Sequence, residues 1–325
     1  ALETAILIVA GLALLTLGGD LVVRGAVGVA RRLGVSELLI GLTLVGFGTS
    51  TPELITSLNA AFSGSSGIAV GNVVGSNIGN ILLIFAIVCM ARPVAVDPLA
   101  LRRDGIVMLG ATILLIALAL GFGELSRPVG AILVFGLISY LVFAYLQERR
   151  PGNAAGALHA AEAETAVKPT NTPLWLCLAM ALGGIAVLIF GADLLVKGAI
   201  TLAELAGLSE TVIGLTIVAI GTSLPELVAS LAAALKGRTD VAFGNIVGSN
   251  IYNILGILGI TALVQPVAIP PDMLSRDWIA LYGAALLLLF HSATGARVGR
   301  REGAFLLAHY VLYCWLLLNP GAGLT

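Results

Sequence analysis

The chain repeats itself at a spacing of 173 residues, and this duplication constrains its fold more than any other feature. Residues 39–82 align without a gap on residues 212–255, with 27 of 44 positions identical. Each copy contains a glutamate directly after a proline: "GFGTSTPEL" begins at Gly46 and "AIGTSLPEL" begins at Ala219. Two matched acidic residues in otherwise apolar surroundings indicate one duplicated unit in which both copies have the same role.

The composition places this unit in a lipid bilayer. Of the 325 residues, 58% are hydrophobic and 11% are charged, and the mean hydropathy is +1.05. Soluble domains usually carry about a quarter charged residues. The first apolar run is long enough to span a bilayer and lacks a preceding basic segment, so we expect no removable signal peptide. The three cysteines have no metal-ligand spacing and are expected to pack in the core.

Ten stretches are long and apolar enough to be predicted as spans, because a bilayer core needs about 20 residues per helix. They cover approximately residues 4–23, 36–62, 68–90, 104–121, 128–146, 174–196, 209–235, 241–264, 277–291 and 303–318. Each copy of the repeat therefore has five spans, and an odd number places the second copy upside down in the membrane. The predicted fold is an all-α integral membrane protein whose ten transmembrane helices form two inverted five-helix repeats.

Basic residues predict the orientation, because Lys and Arg near span ends stay in the cytoplasm. One set of alternate loops holds 14 of the 17 basic residues and the other set holds 3. Both termini are then outside a plasma (inner) membrane. We expect the first repeat over 1–146, a flexible cytoplasmic linker over 147–173 that is rich in Ala, Gly, Pro and Thr, and the second repeat over 174–325.

The glutamates of the two motifs, Glu53 and Glu226, lie at membrane depth, where an ionised carboxylate needs a cation, a proton or water to compensate it. Pro52 and Pro225 lack an N–H and free carbonyl groups one turn earlier. The same turns carry four hydroxyls, those of Thr49, Ser50, Thr222 and Ser223. This oxygen set suits Ca²⁺ and Na⁺. Two plainer interpretations stay open: a neutral acid in an interhelical hydrogen bond, and hydroxyls bonded to their own helix.

The third and eighth spans carry the second group of candidate ligands. "GNVVGSNIGN" and "GNIVGSNIYN" place a serine and an asparagine four residues apart on one helix face: Ser76 with Asn80, and Ser249 with Asn253. The remaining amides are interpreted as groups that pack helices or satisfy the backbone: Asn72, Asn77, Asn245 and Asn250. The pairs Asp20 with Arg24 and Asp193 with Lys197 are predicted to be simple ion pairs one helical turn apart.

At these residues the sequence resembles the calcium/cation antiporter superfamily, particularly its prokaryotic Na⁺/Ca²⁺ exchanger branch. The resemblance covers both "GTSxPE" motifs and both "GNxVGSN" motifs. It implies that Glu53 and Glu226 are the central ion ligands and that the carbonyls of Gly46 and Ala219 face flanking Na⁺ positions. One position departs from the pattern, because Asn253 stands where sodium-exchanging members carry an aspartate.

The resemblance implies a secondary antiporter that exchanges Ca²⁺ against Na⁺ by alternating access, and not an enzyme. H⁺/Ca²⁺ antiport stays open, since buried carboxylates can carry protons. A cation channel and an intramembrane hydrolase are further alternatives, although a channel has no need for two inverted copies and no nucleophile or zinc motif is seen. The expected partners are Ca²⁺, Na⁺ and the lipid bilayer, with no cofactor, nucleic acid or protein partner indicated.

Overall fold

The computed structural model describes residues 2–36, 40, 43–44, 46–98, 101–149, 160, 172–273 and 275–319. Nearly all of them are helical. In chain order the helices are α1 (Leu2–Arg32), α2 (Gly46–Gly48), α3 (Thr51–Phe62), α4 (Ser66–Ala91), α5 (Leu101–Phe122), α6 (Arg127–Glu148), α7 (Leu174–Ala206), α8 (Glu210–Thr222), α9 (Leu224–Leu235), α10 (Thr239–Val264), α11 (Ser275–Ala293) and α12 (Arg300–Leu318).

Several of these helices are long and apolar enough to cross a membrane. Within the described part of the chain, six do so without a break, namely α1, α4, α5, α6, α7 and α10, and the bent pair of α8 and α9 makes a seventh. The protein is therefore a helical membrane protein. α1 and α7 continue beyond the predicted 4–23 and 174–196, with 31 and 33 residues. At about 1.5 Å per residue both exceed a hydrocarbon core of about 30 Å, so they must tilt or project from it.

α4 and α10 form the centre of the molecule. In the apolar stretch of each, 83% of the residues are buried, against 22% in α1 and α7. Both helices contain a π-helical segment, Asn80–Phe85 in α4 and Tyr252–Leu258 in α10. Such segments widen a helix by one residue per turn and are frequent at functional sites. Each segment begins beside or at a predicted ligand, which places the backbone irregularity at the middle of the bundle.

Glycines every seven residues allow α1 and α7 to pack in close contact along their length. A Cβ on Gly18 would lie 2.9 Å from the carbonyl oxygen of Gly184, and one on Gly184 would lie 2.8 Å from the backbone nitrogen of Val22. Small residues let two membrane helices approach this closely. We call this contact the glycine seam; its members are Gly11, Gly18 and Gly25 on α1 with Gly184, Gly191 and Gly198 on α7.

Two short antiparallel strand pairs connect loops from different halves. β1 (Val94–Ala95) pairs with β4 (Arg297–Val298), and β2 (Glu124–Leu125) pairs with β3 (Val267–Ala268). The loops joined in this way must lie on the same face of the membrane. The pairing agrees with the alternation of the predicted spans, which assigns each joined pair of loops to one side.

A buried ionic cluster ties the start of α5 to α6. Arg103 lies 2.6 Å from Asp104 and 2.5 Å from Glu148, and Tyr140 donates a hydrogen bond of 3.0 Å to Asp104. A similar cluster ties α11 to α12, where Tyr313 donates to Asp277 at 3.1 Å and Arg276 lies 3.4 Å from the same carboxylate. These clusters fix the outer helices of each half.

Candidate functional site

The site is built on two broken helices. α2 ends at Gly48 and α3 begins at Thr51, while α8 and α9 meet at Ser223 with a bend of 45°. Pro52 and Pro225 stand in the first turn after each break, where a missing N–H costs little. The glutamate that follows each proline, Glu53 or Glu226, is buried, with 0% and 1% of its surface exposed. The breaks therefore hold both carboxylates inside the bundle.

The two halves meet through a mirrored pair of hydrogen bonds. Ser50 Oγ donates to Glu226 Oε1 at 3.1 Å, and Ser223 Oγ donates to Glu53 Oε1 at 2.9 Å. Each serine thus binds the glutamate of the other half. The two carboxylates are also near enough for their charges to interact. The fold thus brings together residues that are far apart in sequence and that the repeat relates at a spacing of 173.

Both glutamates, and three predicted ligands on α4 and α10, carry buried oxygens with no hydrogen-bond partner among the described residues. Glu53 Oε2 and Glu226 Oε2 make no hydrogen bond to any described residue, and neither do Ser249 Oγ, Asn253 Oδ1 and Asn80 Oδ1. Buried polar atoms are normally paired, because leaving one unpaired costs free energy and a buried charge costs much more. A bound cation satisfies several such oxygens at once. Carboxylate, hydroxyl and amide oxygens are the ligands that Ca²⁺ and Na⁺ prefer.

The remaining predicted hydroxyls and carbonyls lie around this cluster. Thr49 lies beside the Glu226 carboxylate, and Thr222 lies beside that of Glu53. The hydroxyl oxygens of Ser223 and Ser76 are 3.1 Å apart, and Ser76 Oγ donates to the carbonyl of Ala219 at 3.4 Å. Gly46 is the first residue of α2.

The other asparagines satisfy the backbone and bridge helices, as the sequence interpretation holds. Asn72 Nδ2 donates to the carbonyl of Glu53 at 3.2 Å and to Ser57 Oγ at 3.0 Å, while its Oδ1 lies 3.0 Å from the hydroxyl of Thr222. Asn245 Nδ2 donates to Ser230 Oγ at 2.8 Å. Asn72 therefore holds the glutamate-bearing turn of its own half and a hydroxyl of the other half.

The surroundings of the site differ between the two halves. A cavity of about 20 Å³, enough for roughly one water molecule, is lined by Gly79, Ala219 and Ser223 among others. The positions related to Gly79 and Ile220 of this lining are Tyr252 and Phe47. Their rings pack edge to face there, with centroids 5.5 Å apart. Aromatic rings thus fill this position, while the related position keeps a small space.

Other candidate groups lie away from the site. Asp20 with Arg24 and Asp193 with Lys197 form the predicted ion pairs, each at 2.8 Å, and all four side chains are more than a third exposed. Among the described residues, no three His, Cys, Asp or Glu side chains group as a metal site. A cation here would be held by two acids together with neutral oxygens. The ionic clusters around Asp104 and Asp277 were not predicted from the sequence.

A helical membrane protein with paired carboxylates and open oxygens at the junction of two broken helices can hold a cation at membrane depth. The family model for sodium/calcium exchanger protein matches residues 3–146 and 176–319. The chain belongs to this family of membrane exchangers.

Individual relatives are similar over nearly their whole length. The putative antiporter CaxA of Alkalimonas amylolytica is 39% identical, with 98% of this chain and 99% of the relative covered. The sodium/calcium exchanger MaX1 of Methanosarcina acetivorans is 34% identical, with 96% and 97% covered. A solved structure of the sodium-calcium exchanger NCX_Mj, soaked with Na⁺ and Sr²⁺, superimposes with a TM-score of 0.63 at 32% identity, covering 96% of this chain and 97% of that one.

Proposed function

We propose that this protein exchanges Ca²⁺ against Na⁺ across the plasma membrane, by alternating access to a site formed by Glu53 and Glu226. The observation that carries the proposal is the mirrored pair of hydrogen bonds between Ser50 and Glu226 and between Ser223 and Glu53. Each bond uses one carboxylate oxygen and leaves the other buried without a partner among the described residues. The family and its named exchangers support the same conclusion.

The charge of the site explains why exchange is obligatory. Two ionised carboxylates can be neutralised by one Ca²⁺ or by two Na⁺, but they are too costly to leave bare in a poorly solvated place. The protein with an empty site therefore does not change from one facing state to the other, whereas the protein loaded with Ca²⁺ or with Na⁺ does. Neutral oxygens complete the ligand set, and they belong to Thr49, Thr222, Ser76, Ser249, Asn80 and Asn253. The carbonyls of Gly46 and Ala219 serve the flanking Na⁺ positions.

The architecture that serves this exchange is ten spans in two inverted repeats, 1–146 and 174–325, joined by a cytoplasmic linker over 147–173. Support comes from the elements themselves, since the broken helices, the strands and the π-helical segments of α4 and α10 recur at a spacing of about 173 residues. Inverted repeats give a carrier two related approaches to one central site. One bundle of helices then moves against the other to open them in turn.

H⁺/Ca²⁺ antiport is the second candidate, and the same unpartnered oxygens favour it. A proton on Glu53 Oε2 or Glu226 Oε2 neutralises a carboxylate as well as Na⁺ does. Two protons then neutralise the two carboxylates as one Ca²⁺ does, and the exchange remains obligatory.

Radiolabelled Ca²⁺ uptake into proteoliposomes decides between these functions. We expect uptake under an imposed Na⁺ gradient and little uptake under an imposed pH gradient alone. Uptake driven by the pH gradient without Na⁺ would assign the second candidate. Uptake that needs neither counter-ion would identify a channel and overturn the proposal.

A further inference from the structure

Four buried asparagines lie between α4 and α10 at the centre of the molecule. Asn77 and Asn80 belong to α4, and the residues related to them by the 173-residue repeat are Asn250 and Asn253 of α10. All four are nearly inaccessible to solvent. The repeat leads us to expect matched hydrogen bonds in the two halves.

The hydrogen bonds are not matched. Asn253 Nδ2 donates to Asn77 Oδ1 at 2.9 Å, and Asn77 Nδ2 donates to the backbone carbonyl of Asn250 at 3.3 Å. The related bond, from Asn80 Nδ2 to Asn250 Oδ1, is absent, and neither of these atoms has a partner among the described residues. Asn250 Nδ2 instead donates to the carbonyl of Ile246 in its own helix, at 2.8 Å.

The bond to Asn77 decides what Asn253 offers an ion. A side-chain amide has an oxygen that can bind a cation and an NH₂ group that repels one. Because Asn77 takes the NH₂ group of Asn253, the oxygen of Asn253 is the atom left free, and it is buried without a partner among the described residues. Asn80 has no such restraint, so nothing fixes which of its two polar atoms faces the site.

The same asymmetry appears beside the two asparagines. The rings of Phe47 and Tyr252 pack against each other, and Tyr252 directly precedes Asn253 in α10. The small cavity beside Gly79 and Ser223 occupies the related position, and Gly79 directly precedes Asn80 in α4. The restrained asparagine therefore follows the position that aromatic rings fill, and the unrestrained one follows the position that keeps a space.

We propose that Asn77 is a positioning residue that presents the side-chain oxygen of Asn253 to the ion in the conformation of this structure, and that Asn250 presents that of Asn80 in the conformation that faces the other side of the membrane. The proposal rests on the proposed function, because it needs both the ion site and the inverted repeats. In an inverted-repeat carrier the two halves exchange conformations when the protein changes its facing. Asn250 then turns from the carbonyl of Ile246 toward Asn80, while the bond between Asn77 and Asn253 breaks.

The test is the KM for Ca²⁺ on each membrane face, measured in right-side-out and inside-out vesicles. Asn77→Ala should raise KM about five- to tenfold on one face only, with kcat nearly unchanged, because one hydrogen bond that orients a ligand is lost. Asn250→Ala should do the same on the other face. Asn59→Ala is the matched control, since the related residue of the second half is already an alanine, Ala232, and the change should leave both KM values unchanged.

A double-mutant cycle separates positioning from a structural role. If Asn77 acts through Asn253, Asn77→Ala should add little to the KM of Asn253→Ala. Asn77→Leu, which keeps the number and branching of the side-chain heavy atoms and has no polar atom, should behave like Asn77→Ala and replaces it if the alanine variant does not assemble. Additive effects, or equal KM changes on both faces, would overturn the positioning role while wild-type exchange persists. Failure of wild-type exchange would instead overturn the proposed function.

Discussion

At the scale of single residues, the proposed site combines neutral oxygens with two acids. The sequence could identify Glu53 and Glu226, because a carboxylate in an apolar span needs compensation wherever it lies. It could not show that each serine binds the glutamate of the other half, since contacts between Ser50 and Glu226 depend on how two distant broken helices pack. The orientation of Asn253 depends on such packing as well.

We expect Glu53→Gln or Glu226→Gln to abolish Ca²⁺ transport, because the amide keeps the side-chain volume but removes charge that a divalent ion needs. The measurement is radiolabelled Ca²⁺ uptake into proteoliposomes under a Na⁺ gradient. Glu124→Gln is the control, because this glutamate is exposed in the loop strand β2. Near-normal uptake in either buried-site variant would remove that glutamate from the ligand set.

With Asn253 in the proposed ligand set, the site holds two formal negative charges. Two Na⁺ neutralise them, and a third Na⁺ would leave a net positive charge in a poorly solvated place. We therefore expect coupling nearer to two Na⁺ per Ca²⁺, measured as a reversal potential in proteoliposomes. Asn253→Asp adds a third carboxylate, and crowded carboxylates do not all ionise together, so exchange should become more dependent on pH. Clear three-to-one coupling of the wild type would contradict this charge argument.

At the scale of helices, the sequence predicted most spans in place, because apolar length is a local property. It missed how far α1 and α7 extend, since the predicted spans end just before the basic residues Arg24 and Lys197 and both helices continue past them. The glycine seam was also missed, although its spacing of seven residues is visible in both copies. A regular spacing of glycines shows that one face of a helix carries small residues, but only the packed structure shows which helix covers that face.

We expect Gly184→Ala to destabilise the protein by about 1–3 kcal/mol, because overpacking a tight contact forces the backbone to shift. The added Cβ would lie 2.8 Å from the backbone nitrogen of Val22 and 2.9 Å from the carbonyl of Gly18. Gly183→Ala is the control, since no atom lies within 4 Å of a Cβ there. Thermal unfolding in detergent measures both variants, and equal melting temperatures would show that the seam tolerates a methyl group.

At the scale of the whole molecule, the sequence predicted an arrangement that the contacts between halves support. The alternation of the predicted spans places the loops that β1 and β4 join on one face, and those that β2 and β3 join on the other. The ionic clusters around Asp104 and Asp277 could not be anticipated from charge alone, because an Arg-Asp pair at a span end is usually solvated. In both halves the tyrosine of the cluster follows the aspartate by 36 residues. This shared spacing indicates a contact only when the two halves are compared as copies of one repeat.

The distribution of basic residues predicts which face is cytoplasmic, and cysteine labelling can test it. The native cysteines, Cys89, Cys177 and Cys314, are first replaced by alanine. A cysteine at Ala157, in the linker and outside the described residues, should then react with a membrane-impermeant maleimide only from the cytoplasmic side. A cysteine appended after Thr325 should react only from outside, because ten spans place both termini there. Labelling of both positions from one face would mean an even number of spans between them, and the five-helix inverted repeat could not stand.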